Sequence, residues 1–125
     1  MLDIKKNVVL LSLMLLPLVT QAQVGCIDAD YSKVENARVV RTKDTLTIRI
    51  SIKPHTEIDV ETLHEGSVLQ IRMYGTYIMQ DHIQVSKRVS LLEYAGFTQI
   101  NVVGGREMLD FKKIDSSTFI LHIKI

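Results

Sequence analysis

Apolar and polar residues alternate with a period of two along most of the chain. In "TLTIRISIK", residues 45–53, Leu46, Ile48, Ile50 and Ile52 fall on one face, with Thr45, Thr47, Arg49, Ser51 and Lys53 on the other. This is the pattern of a half-buried strand, and its β-branched content suits one. The preceding "ENARVVRT" can pair with it across a tight turn at Lys43-Asp44. "SVLQIRMYG" repeats the alternation through Leu69, Ile71 and Met73. Near the end of the chain, "TQINVV" aligns Ile100 with Val102, and "REMLDFKKI" sets Leu109 and Phe111 against Met108, Asp110 and Lys112. "FILHIKI" then places Phe119, Leu121, Ile123 and Ile125 on one side. Gly104-Gly105 predicts a two-residue hairpin turn, because both central residues of a type I′ turn need positive φ, and "DSST" predicts another turn.

One segment carries a helical period. "DHIQVSKRVSLLEYAG", residues 81–96, opens with Asp81 and has Gln84 three residues later, the spacing of a capping box. Val85, Val89 and Leu92 recur at helical spacing, Leu91 and Ala95 widen the stripe, and Gly96 can end the helix with Phe97 folding back over it. The segment "HTEIDVETLHEG" fits an extended run into a turn, although Thr56 or Asp59 could cap a single helical turn ending at Gly66. The expected fold is α+β: a mainly antiparallel sheet of five to six strands with one helix packed on one face, in the order ββ(β)β-α-βββ. It occupies residues 34–125 as one small domain, after a lead-in at 23–33.

The beginning of the chain follows a different rule. "MLDIKKN" is net positive, "VVLLSLMLLPLV" is twelve residues without a charge, and "TQA" offers small residues before a cut after Ala22. Together these describe a secretory signal peptide over residues 1–22. A transmembrane span needs about 20 apolar residues, more than this run supplies. The expected location is therefore periplasmic or secreted, as part of a bacterial cell envelope. Cys26, the only cysteine, rules out an intrachain disulfide. It sits where a lipoprotein signal would place its lipid-bearing residue, but Gln23 and Val24 fit that signal poorly. Cleavage after Ala22 leaves Cys26 as a thiol open to a disulfide with a partner; cleavage after Gly25 makes it a membrane tether, the only membrane attachment expected.

Charge narrows the partners. The whole chain carries +1; without residues 1–22 it loses Lys5, Lys6 and Asp3 and becomes neutral. Neutrality argues against nucleic acid as a partner, since phosphate binding draws on a basic excess. No run of basic residues points to an anionic membrane.

Candidate chemistry is sparse. In an extended "HTEIDVETLHE", residues His55, Glu57, Asp59 and Glu61 share one face, with His64 close by. One or two imidazoles and three carboxylates suit a divalent cation or a small ligand. Strand neighbours on one face nevertheless stand about 6.5–7 Å apart, wider than two ligands on one zinc allow. A solvated charged face is the preferred reading. "HEGSV" has Val68 where a zinc-protease helix needs its second histidine. No serine lies in a Gly-x-Ser-x-Gly context, Cys26 has no histidine near it in sequence, and His82 and His122 read as exposed. Tyr74, Tyr77 and Met79 form the best candidate for an exposed interaction patch. The last strand, if it lies at a sheet edge, offers backbone groups for strand addition. The expectation is a non-enzymatic module without cofactor, binding another envelope protein. The alternative is a ligand- or metal-binding domain built on residues 55–65.

Overall fold

The computed structural model describes residues 31–53 and 57–125, and these form strands and turns with no helix among them. β1 (Ser32–Thr42) and β2 (Thr45–Lys53) make the expected hairpin, closed at Lys43-Asp44 with Lys43 at φ 45°. β3 (Asp59–Glu65) and β4 (Val68–Tyr74) make a second hairpin across Gly66-Ser67, so residues 59–65 are extended. The short β5 (Thr76–Tyr77) follows at once. Then come β6 (His82–Gln84), β7 (Val89–Tyr94) and β8 (Phe97–Val103), and finally the hairpin of β9 (Glu107–Asp115) and β10 (Thr118–Lys124).

The strands assemble into two sheets. The first has the order β9-β10-β2-β1-β5 and the second β3-β4-β8-β7-β6. Every pairing is antiparallel except that of β5 with the first two residues of β1. The apolar faces read from the alternation meet in one core. Ile48, Ile50, Leu121 and Ile123 of the first sheet lie in the same buried cluster as Leu69, Ile71, Ile100 and Val102 of the second. Burying such a side chain contributes about 1.5–3 kcal/mol, and with no intrachain disulfide available this core must hold the fold.

The α+β expectation is overturned: the fold is all-β, and the segment expected as a helix is β6, a turn, β7 and a second turn. Its apolar spacing satisfies both periods, because Leu91 and Leu92 are adjacent and one of them always faces the core. The rest of the segment decides for strands. Ile83, Val85 and Val89 are β-branched, which raises strand preference. Ser86, Lys87 and Arg88 form a turn in which the Val85 and Ser86 amides donate to the Val89 carbonyl, at 2.9 and 3.1 Å. Gly96, expected as a helix cap, turns β7 into β8 with φ 93°; either role needs the same left-handed residue.

Three smaller expectations also change. Gly104-Gly105 is a crossover between sheets, since β8 and β9 belong to different ones. Leu109 is 51% exposed, because a bulge between Met108 and Asp110 turns Met108 and Phe111 inward instead. The last strand, β10, is no edge; β9 and β2 pair with its two sides. The "DSST" turn is present, with the Ser117 amide 2.8 Å from Asp115 Oδ1. That backbone hydrogen bond holds the Asp115 carboxyl below its ordinary range.

One buried group lies outside this satisfied network. Thr98 is fully buried, and its hydroxyl has no hydrogen-bond partner among the described residues. Thr98→Val keeps the shape and removes the desolvated hydroxyl, so stability is expected to rise by about 1 kcal/mol. Thermal melting checks this, and a lower melting temperature would contradict it.

Candidate functional site

The outer face of the second sheet is built by the residues that alternate with the core positions. Strand register sets them in rows: Tyr74 stands opposite Phe97 and Phe97 opposite Tyr94, while Glu61, Arg72, Gln99 and Leu92 form the next row. The three rings make a continuous aromatic strip. Tyr74 and Phe97 are tilted with centroids 5.3 Å apart, and Tyr94 stacks on Phe97 at 5.0 Å. Ring geometry of this kind adds to simple burial. Tyr94 is nevertheless 46% exposed, so its outer face is open to a ligand.

Arg72 is locked into this surface from three sides. Its guanidinium carbon lies 5.1 Å from the Phe97 ring centroid, its Nε donates to Gln99 Oε1 at 3.1 Å, and Nη1 lies 3.9 Å from Glu61 Oε1. Gln99 is only 3% exposed although it faces outward, and its Nε2 donates to Asn101 Oδ1 at 2.8 Å. A covered amide thus orients Arg72 at no further entropic cost on binding. Tyr74 donates its hydroxyl to Glu61 Oε1 at 2.6 Å. A shallow open groove of about 480 Å³ runs over this face, with Leu63, Gln70, Arg72, Tyr94, Phe97 and Gln99 among its walls.

The structure separates the candidate metal ligands. His55 lies outside the described residues. Asp59, Glu61 and Glu65 alternate along β3, with Glu57 before it, but Glu61 is engaged by Tyr74 and Arg72, and Glu65 accepts from Gln70 Nε2 at 3.1 Å. His64 lies on the opposite side of β3, with Nε2 3.0 Å from the Arg106 carbonyl. No group of three His, Cys, Asp or Glu side chains converges among the described residues. Along an extended strand, neighbours on one face stand about 6.5–7 Å apart.

The Tyr74, Tyr77 and Met79 patch divides likewise. Tyr74 belongs to the aromatic strip, while Tyr77 lies in β5 of the first sheet, opposite Lys33. Met79 is exposed at φ 63°, in a loop whose Ile78 and Met79 amides both donate to Glu93 Oε1, at 2.9 and 2.8 Å. Phe97, Tyr94 and Arg72 were not legible as site residues. The helical reading of residues 81–96 put Tyr94 and Phe97 at a helix end, away from Tyr74.

On the outer face of the first sheet, His122 Nδ1 lies 2.7 Å from Asp110 Oδ1. A nucleophilic relay needs a hydroxyl bonded to the other ring nitrogen, and no such bond exists among the described residues. Cys26 and residues 1–22 lie outside the described part. No described helix is long and apolar enough to cross a membrane. No family model matches the chain, and comparisons with curated proteins and with solved structures return no significant match.

Proposed function

We propose that this chain is a non-catalytic, exported module of a bacterial cell envelope that binds another protein through the outer face of its second sheet. The observation that carries this reading is the open Tyr74–Phe97–Tyr94 strip with Arg72 already held beside it. Tyrosine and arginine dominate the binding energy of protein interfaces, mostly where their side chains are fixed before contact. Export rests on the positive start, apolar run and small-residue exit of residues 1–22. Glu61 and Glu65 leave the rim of the face mixed in charge, which suits the polar border of a protein contact.

A photo-reactive phenylalanine analogue at position 94, introduced into the full chain in its native envelope, tests this. A protein adduct is expected from position 94 and not from position 47 on the opposite sheet. Tyr94→Ala is expected to weaken capture by about 2 kcal/mol, roughly thirtyfold, with little change in melting temperature. A monodisperse monomer that yields no adduct from position 94 would overturn the reading.

A further inference from the structure

The opposite face of the molecule carries a concentration of positive charge that the sequence does not display. On the outer side of β1 and β2, register places Lys33 opposite Lys53, Asn36 opposite Ser51, and Arg38 opposite Arg49. A bulge at Glu35 restores this alignment, so these six residues form three successive cross-strand rows. Four of the six are cations and none is an acid. Like charges directly opposite each other in a sheet destabilise it. Arg38 and Arg49 form no ion pair or side-chain hydrogen bond among the described residues, and both are exposed. Three acids lie around these rows: Glu35, exposed in the bulge between Lys33 and Asn36; Asp115 of β9, which accepts from the Ser117 amide; and Asp110 of β9, engaged by His122 and 3.9 Å from Lys112 Nζ.

We infer that the square formed by Asn36, Arg38, Arg49 and Ser51 is a binding site for a phosphoryl group, taken as the dianion of a phosphate monoester. These four side chains alone line a shallow depression of about 200 Å³, the scale of a small oxyanion with its hydration. Two guanidinium forks offer paired N–H donors, and each fork matches two oxygens of a tetrahedral oxyanion. The Asn36 amide and the Ser51 hydroxyl add donors of the second row, to the third oxygen or to the ester oxygen. A dianion neutralises both arginines and removes their mutual repulsion, whereas one carboxylate saturates a single fork and leaves the other charge unmatched. Lys33 and Lys53 lie one row further on, where they extend the positive potential toward the rest of the ligand. This site is on the other sheet from the aromatic strip and is independent of the protein-binding reading.

The test compares the full mature chain with Arg49→Gln, which is shorter but stays polar and removes one charge. In ¹H–¹⁵N spectra, inorganic phosphate at constant ionic strength is expected to shift the Nε–H signals of Arg38 and Arg49 saturably. Chloride is expected to leave them in place. R49Q is expected to bind phosphate about tenfold more weakly. At low ionic strength without phosphate, R49Q is expected to melt no lower than the native protein, because a like-charge pair has been relieved. Added phosphate is expected to raise the melting temperature of the native protein only. Co-sedimentation with phosphatidic acid vesicles, against phosphatidylcholine alone, separates the sources: vesicle binding lost in R49Q assigns the phosphoryl group to a lipid headgroup, and saturation by phosphate without vesicle binding assigns it to a soluble ester. Signals that respond equally to chloride, or responses to phosphate and vesicles unchanged in R49Q, would overturn the site.

Discussion

Leu91→Ala is expected to cost about 3 kcal/mol of stability, and Leu92→Ala about 1 kcal/mol or less. Leu91 is 1% exposed, sits opposite Ile100 and joins the buried cluster between the sheets. Truncating it removes the transfer free energy of its methyl groups and leaves a cavity that the neighbouring strands, paired on both sides, cannot close. Leu92 points the other way, onto the outer face between His82 and Gln99, and is only half-buried. A helix centred on the Val85, Val89 and Leu92 stripe would make Leu92 at least as costly as Leu91. Urea unfolding of the two variants therefore separates the architectures. Equal losses at both positions would contradict the strand.

Gly105→Val is expected to be as damaging, at about 3 kcal/mol or more, while Gly104→Asn costs about 1 kcal/mol or less. A β-carbon on Gly105 would lie 2.9 Å from Leu69 Cβ and 3.0 and 3.1 Å from Val102 Cγ1 and Cβ. Leu69 and Val102 are buried and stand opposite each other in β4 and β8, so neither has room to give way. Gly104 is a different case. It adopts φ 81°, which asparagine tolerates, and its crowding neighbour is the movable Arg88 guanidinium. In a type I′ hairpin both positions would have positive φ and asparagine would fit either; Gly105 does not. Thermal melting of G105V and G104N gives the comparison, and a G105V protein as stable as G104N would sink the crossover packing.

The pattern of residues identified most of the core, though not Val34 or Ile78. Leu46 to Ile52, Leu69 to Met73, Ile100, Val102 and Phe119 to Ile123 face inward as their alternation requires, because a period of two leaves only one way to bury one face. It failed where two periods coincide. Residues 83–92 present apolar groups at both helical and strand spacing, and neither the capping pair nor Gly96 discriminates, since each has a role in turns as well. At β9 a single extra residue reversed the faces, and alternation cannot announce a bulge.

The candidate sites were less legible than the core. Tyr74 was singled out, but its partners Phe97 and Tyr94 come from a segment read as the end of a helix. Arg72, two residues from Tyr74, gains its role only when Gln99 of β8 comes alongside. The acidic run at residues 57–65 had the opposite fate: its density in sequence suggested a cluster, and extension along a strand spread it out.

By itself the sequence determined most of the strands, each with one apolar face, the turns at Lys43-Asp44, Gly66 and "DSST", and a core without disulfides. Those properties are local, set by side-chain periodicity and by residues that permit positive φ. Only the tertiary structure decided that there are two sheets and no described helix, and which outer faces come together. It gathered the aromatic strip from β4, β7 and β8. Pairing partners depend on the mutual burial of distant strands, and that energy has no signature within any single segment.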